Sequence, residues 1–218
     1  MDIDISQLRR DYTKDGLRRN DLDDDPFEQF RLWFGQAVKA QLLEPNAMTL
    51  ATASAAGHPT QRTVLLKNFD ERGFVFFTNY GSKKSQQIDE HPNVCILFPW
   101  IALERQVIVT GSAAKISRAE TMKYFVTRPL ESQLGAWAST QSGVISSKKA
   151  LQMKFEEVKE KFKNGKVPLP SSWGGYRITP LSIEFWQGGS GRLHDRFLYT
   201  RQGEKAGAPS WQIERLAP

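Results

Sequence analysis

Cysteine occurs once in the 218 residues, at Cys95, so no disulfide can close within the chain. Inside Val94-Cys95-Ile96-Leu97-Phe98 the thiol reads as a buried strand residue rather than a nucleophile. Histidine occurs three times without metal-ligand spacing, which leaves no credible zinc site, and no metal is expected. Neither a Gly-x-Gly-x-x-Gly nor a P-loop is present, so the sequence suggests neither a dinucleotide-binding fold nor an NTPase. Long apolar runs are also missing. The longest, 94–103, is interrupted by Pro99 and falls short of a membrane span. The start, Met1-Asp2-Ile3-Asp4, is acidic where a secretory signal would be basic and then apolar, and the expectation is a cytoplasmic protein with no membrane partner.

What the chain does have is an ordinary globular composition, 39% hydrophobic and 25% charged, enough for one full core. Its net charge of +6 would suit nucleic acid, yet the basic residues are dispersed and no basic run is interleaved with aromatics. Small phosphorylated ligands satisfy that charge equally well, and no nucleic-acid partner is expected.

Residues 1–24 are charged and lack an apolar period, which predicts a mobile N-terminal arm. Residues 25–218 then form a single domain. Asp25 caps a helix that carries Pro26 in its first turn, with Phe27, Phe30, Phe34, Ala37, Val38 and Leu42 as the buried stripe. From Ala47 the pattern changes to strands at 48–54, 61–69, 74–79, 93–100 and 106–116, separated by turn chemistry. Helices are predicted at 82–90, at 117–127 behind the capping box Ser117-x-x-Glu120, and at 146–163. Strands return at 176–185, 193–201 and 211–216. Antiparallel strands with inserted helices argue for an α+β, mainly β barrel with peripheral helices.

The densest chemistry lies in Ile183-Glu184-Phe185-Trp186-Gln187-Gly188-Gly189-Ser190-Gly191-Arg192-Leu193-His194-Asp195-Arg196. After the glycine-rich turn, Arg192, His194 and Arg196 share one parity, so a strand would set two guanidiniums and an imidazole on one face. An anionic or π-rich ligand would satisfy that face. A solvated hairpin, with Asp195 and Glu184 neutralising the arginines, would satisfy it too. Gly81-Ser82-Lys83-Lys84 places free N–H groups and two ammonium groups at a helix start, which suits a phosphate or simply a solvated helix end. Tyr124 and Arg128, four apart on one helix face, could converge on an anion or lie at the surface, with Ser132 just beyond the helix stop at Pro129. Arg62 and Lys67, five apart on one predicted strand, would face opposite ways unless a bulge or an edge-on ligand intervenes.

The segment 183–196 resembles the C-terminal signature of the pyridoxine (pyridoxamine) 5′-phosphate oxidases. The same family is resembled, in order along nearly the whole chain, by Leu8-Arg9-Arg10-Asp11-Tyr12, Gln61-Arg62-Thr63-Val64-Leu65-Leu66-Lys67, Thr78-Asn79-Tyr80-Gly81-Ser82-Lys83-Lys84, Leu97-Phe98-Pro99-Trp100, Leu103-Glu104-Arg105-Gln106-Val107, Lys123-Tyr124-Phe125 with Arg128-Pro129, Trp173-Gly174-Gly175 and the closing Arg215-Leu216-Ala217-Pro218. The resemblance implies an FMN-binding split β-barrel and a homodimer with flavin in the interface. It implies oxidation of pyridoxine 5′-phosphate and pyridoxamine 5′-phosphate by O2.

It also assigns residues. FMN contacts fall to Arg62, Lys67, Phe77, Thr78, Lys83, Lys84, Gln106, Gln141, Ser142, Trp186 and Arg196, with Lys83 standing where many members carry Arg. The substrate phosphate falls to Lys67, Tyr124, Arg128 and Ser132. Arg192 and His194 are implied over the substrate ring as the catalytic pair, and Arg9 and Tyr12 as a lid carried by the arm. Two other classes stay open on the residues alone. A differently reactive flavin split-barrel protein would not need the substrate set, and a basic nucleic-acid-binding barrel would carry no flavin.

Overall fold

Helix α1 (Pro26–Lys39) begins as its cap dictates: the Asp25 carboxylate accepts from the Phe27 N–H, and Pro26 occupies the first turn, where no N–H is needed. The computed structural model describes residues 11–13, 16–139, 141–143, 145–205 and 208–218. The buried face of α1 is Phe27, Phe30, Trp33 and Ala37. Val38, expected in that stripe, is exposed because it lies one residue, about 100° of helix, round from Ala37, while Trp33 takes the core position. Phe30 packs on Phe98 with ring centroids 5.0 Å apart, and Trp33 meets Phe185 edge-on at 5.3 Å. Each such side chain contributes roughly 1.5–3 kcal/mol by leaving water.

The strands are β1 (Ala47–Ala53), β2 (Pro59–Leu65), β3 (Asn68–Asp70), β4 (Gly73–Asn79), β5 (Asn93–Trp100), β6 (Arg105–Lys115), β7 (Trp173–Gln187), β8 (Asp195–Lys205) and β9 (Ala208–Leu216). The remaining helices are α2 (Lys83–Glu90), α3 (Arg118–Phe125), α4 (Leu130–Ala138) and α5 (Lys148–Lys161). Hydrogen bonding orders the strands β2-β1-β5-β6-β7-β4-β3, with β8 paired to β7 and β9 to β8. No helix among the described residues is long and apolar enough to cross a membrane.

These elements gather into two compact units. The first holds the described residues of Met1–Thr49 with Cys95–Thr110 and Pro180–Pro218; the second holds Leu50–Val94 and Gly111–Thr179. In the first, β7 and β8 form a hairpin with Glu184 opposite Leu198 and Trp186 opposite Arg196. In the second, β4 and β7 pair antiparallel from Phe74↔Ile178 to Asn79↔Trp173, and Phe76 stacks on Tyr176. Gly174 and Gly175 permit that close approach. A Cβ on Gly174 would lie 2.0 Å from the Tyr80 hydroxyl oxygen, and one on Gly175 would lie 2.6 Å from Ile116 Cδ1.

Four sequence expectations change. The strand foreseen over 61–69 is two strands, because the chain leaves its pairing with β1 after Leu65 and joins a different neighbour, β4, at Asn68. The residues after the glycine-rich turn do not share a strand face: β8 starts only at Asp195, and Gly191 and Arg192 both adopt left-handed backbone, with φ of 60° and 64°. Pro129, read as a stop, stands at the N-cap of α4, a helix that was not foreseen. Leu17 and Leu22 are buried although their segment shows no apolar period, and the Tyr199 hydroxyl donates to the Asp23 carbonyl.

Candidate active site

The second unit encloses a cavity of about 490 Å³ lined by Arg62, Lys67, Phe77, Thr78, Lys84, Tyr124, Arg128, Gln141 and Trp173, among others. None of its lining residues, among those described, carries a carboxylate. Arg62 enters from β2, where its guanidinium donates to the Leu50 carbonyl at 3.1 Å and to the Thr52 and Thr60 hydroxyls at 2.6 Å each. Both hydroxyls donate onward to Oε1 of buried Gln87, on α2, at 2.6 and 2.7 Å. That leaves the threonine lone pairs aimed at Arg62 and fixes its plane. The odd spacing of Arg62 and Lys67 is resolved by the interruption between β2 and β3, which resets the alternation and lets both line one cavity.

Lys84 is buried in the first turn of α2 and donates to Gln141 Oε1 at 2.9 Å, Thr78 Oγ1 at 3.1 Å and Ser82 Oγ at 3.3 Å. These acceptors are neutral, so the ammonium is solvated but not neutralised. Burial, with the Arg62 charge adding to it, lowers its pKa to about 8. Burial likewise lowers the pKa of Arg62 and of Arg128. Arg128 lies with its guanidinium carbon 4.4 Å from the Trp173 ring centroid, and its Nη1 is buried without a hydrogen-bond partner. Phe77 stacks on Tyr124 at 4.1 Å and on Trp173 at 5.3 Å, so the wall beside the cations is a set of nearly parallel rings. A half-buried guanidinium with one buried, unpartnered nitrogen, a buried ammonium held only by neutral acceptors and flat aromatic walls make a receptor for an anionic, planar ligand.

Lys83, one residue before Lys84, faces a different way and lines a second cavity with Asn79, Trp137, Gln141 and Ser142. Ser132 is half-buried in the first turn of α4, outside the lining of both cavities.

The other sequence-nominated residues belong to the first unit. Trp186, on β7, and His194 lie 4.7 Å apart, and Tyr12 approaches both edge-on at 5.6 and 5.5 Å. Gly188 makes room for Tyr12, since a Cβ there would fall 2.8 Å from its ring. The Thr13 N–H donates to the carboxylate of buried Glu104 at 2.9 Å, and the Leu17 N–H to Asp195 at 2.9 Å. Arg192 is exposed at the turn. Arg196 is ion-paired with Glu184 at 2.8 Å, as the hairpin reading allowed, whereas Asp195 pairs with Arg215. Gln106 is half-buried on β6. Arg9 lies outside the described residues. Trp173, Gln87 and Glu104 were not nominated from sequence. Trp173 stands in a quoted motif, but its contact with Arg128 spans the interval between the turn after α3 and the start of β7, which no local pattern reveals.

Comparison with known proteins identifies the scaffold. A family model described as pyridoxamine 5′-phosphate oxidase matches residues 34–162, and one described as the pyridoxine 5′-phosphate oxidase C-terminal dimerisation region matches 173–218. A pyridoxine/pyridoxamine 5′-phosphate oxidase of Crocosphaera subtropica is 60% identical, covering 99% of this chain and 100% of its own length. One of Vesicomyosocius okutanii is 58% identical over the whole of both chains. Among solved structures, PhzG of Burkholderia lata, in complex with tetrahydrophenazine-1-carboxylic acid, aligns with a TM-score of 0.86 at 29% identity, covering 94% of this chain and 98% of its own. A pyridoxamine 5′-phosphate oxidase-related, FMN-binding protein of Nostoc punctiforme aligns with a TM-score of 0.71 at 17% identity, covering 90% and 100%. The fold is the mainly β split barrel with peripheral helices expected from the sequence.

Proposed function

The chain belongs to the pyridoxamine 5′-phosphate oxidase family, and from that premise we propose that it oxidises pyridoxine 5′-phosphate and pyridoxamine 5′-phosphate to pyridoxal 5′-phosphate with O2, releasing hydrogen peroxide and, from the amine, ammonia. The reaction serves vitamin B6 biosynthesis and salvage. The observation that carries the reading is the cavity of the second unit, where Lys67, Tyr124 and Arg128 meet Arg62 and Lys84 with no carboxylate among the lining. One phosphate would not need so many donors; two phosphorylated molecules would.

The residues present fit FMN. The donor set of Arg62, Lys84, Thr78 and Gln141 suits its phosphate, and the Phe77 segment offers backbone groups beside it. Bound FMN would supply the two-electron chemistry, in which a hydride equivalent leaves C4′ and the electrons pass on to oxygen. The chain supplies alignment. Lys67, Tyr124 and Arg128, with Ser132 from α4, grip the substrate phosphate and set the distance of C4′ from the redox partner. Arg192 and His194 hold the substrate ring, while Trp186, Arg196, Gln106, Lys83 and Ser142 complete the flavin contacts. Arg9 and Tyr12, on an arm spanning residues 1–24, close over bound substrate, and residues 25–218 act as one catalytic domain. A homodimer with flavin in the interface is the proposed assembly, supported by the match of 173–218 to a dimerisation region. The enzyme acts in the cytoplasm, without nucleic acid, membrane or metal.

The test is direct. Purified protein should be yellow with bound FMN and should form pyridoxal 5′-phosphate from either substrate in air. Colourless protein that binds oligonucleotides, or a flavoprotein inert toward both phosphorylated substrates, would overturn the reading.

A further inference from the structure

Trp173 lines the cavity with a ring face and offers a phosphate no charge of its own. It is buried at the start of β7, where its indole is 10° from parallel with Phe77 and 15° from parallel with Tyr124. Phe125 closes its edge at 5.4 Å, so the ring has one orientation. The Arg128 guanidinium lies on this fixed plane, 4.4 Å from the centroid. A guanidinium donates only within its own plane, so whatever sets the plane sets where the hydrogen bonds go. Among the described residues Arg128 has no carboxylate partner, and its Nη1 ends buried and unpartnered. The indole face, nearer than the Phe125 ring at 5.9 Å, is therefore the main restraint on a side chain that could otherwise occupy many rotamers.

We propose that Trp173 is a positioning residue for the substrate phosphate: its indole holds the Arg128 guanidinium in the plane that grips the oxyanion, so that Trp173 sets preference for phosphorylated over unphosphorylated substrate. This rests on the phosphate-clamp reading above. It assigns the clamp a rigid aromatic platform, distinct from the groups that touch the phosphate.

The experiment uses FMN-loaded protein, so that the flavin phosphate already fills its own donors, and compares Trp173→Leu and Trp173→Phe with wild type. Two readouts are taken: KM and kcat for pyridoxine 5′-phosphate, and the affinity for inorganic phosphate by calorimetry. Trp173→Leu should raise KM and weaken phosphate binding about tenfold each, the scale of a desolvated cation–π contact, with kcat nearly kept; Trp173→Phe should fall between. In an Arg128→Lys background, which lacks the planar fork, neither replacement should weaken phosphate further. A purely structural tryptophan would instead lower thermal stability, FMN content and kcat together while leaving phosphate affinity per folded molecule unchanged, and that result overturns the proposal. So does wild-type phosphate affinity in Trp173→Phe, or a Trp173→Phe loss that recurs in full in the Arg128→Lys background, and either result covers the case of a Leu variant that fails to fold. Failure of the wild-type protein to oxidise pyridoxine 5′-phosphate would strike the functional reading itself, a different outcome from turnover that is indifferent to Trp173.

Discussion

The cavity of the second unit and the glycine-rich turn of the first are both rich in arginine, but they hold their cations in opposite ways. In the cavity, Arg62 and Lys84 donate only to hydroxyl, amide and carbonyl oxygens, and Arg128 has a free Nη1. At the turn, Arg196 is paired with Glu184, and Arg215 with Asp195. Neutral acceptors orient a cation without cancelling its charge, so the cavity keeps its attraction for an incoming anion. Carboxylates cancel much of it, so Arg196 and Arg215 attract a free anion less, and Arg196 would meet a ligand as one member of an ion pair. A count of basic residues would not separate the two; their partners do.

The hardest blow to this contrast should come from Arg128→Ala. Removal of a buried charge-assisted contact is expected to cost about 2–3 kcal/mol, raising KM for pyridoxine 5′-phosphate on the order of 100-fold while FMN stays bound. Steady-state kinetics beside the flavin spectrum checks this, and loss of FMN with unchanged KM would move Arg128 to the cofactor.

Next is Lys84→Ala, expected to weaken FMN by about 1.5–2.5 kcal/mol and riboflavin hardly at all. The same lysine gives a pH signature. Its folded pKa of about 8 lies below the ordinary 10.5, so the empty site loses the proton as pH rises through about 8. Between those values the unfolded chain binds more protons, and the empty protein gains stability with rising pH. FMN affinity moves the other way, falling by up to about tenfold per unit above pH 8, because binding must then draw a proton in. Affinity that is flat from pH 7 to 9.5 would mean that the phosphate does not meet Lys84.

Arg192→Lys probes the other region. Charge survives but the planar fork does not, and kcat/KM should fall roughly tenfold with FMN occupancy intact. A loss in kcat assigns Arg192 to the chemical step, whereas a rise in KM alone assigns it to anchoring. The smallest effect belongs to Glu184→Gln, which unpairs a partly exposed arginine. About 1 kcal/mol of stability, a few degrees in Tm, is the expected loss, without change in phosphate affinity.

Much of the fold was legible because local rules agreed with tertiary packing. The strand over 93–100 was read at its observed bounds, and the Asp25–Pro26 start of α1 was read from cap chemistry alone. Legibility failed where a single backbone conformation overrode a period. Left-handed Gly191 and Arg192 cancelled the parity of Arg192, His194 and Arg196, and Pro129 opened a helix where a stop was read. In the site, the cations could be nominated from short motifs, but their supports could not. Gln87 reaches Thr52 and Thr60 across 35 and 27 residues, and Trp173 reaches Arg128 from another element, so only the folded chain brings them together.

The two-residue gap between β2 and β3 works as a phase shift in an alternating code. Along an unbroken strand, Arg62 and Lys67 would be out of phase, one on each side of the sheet. Leaving β1 after Leu65 and joining β4 through the bond from the Lys67 N–H to the Val75 carbonyl resets the count. The length of this link is therefore a specificity element in its own right. Were the link to heal into a continuous strand at its present length, the two cations would stand five apart on opposite faces and one anion receptor would divide into two halves; deleting one residue as well would make the spacing four and restore a shared face.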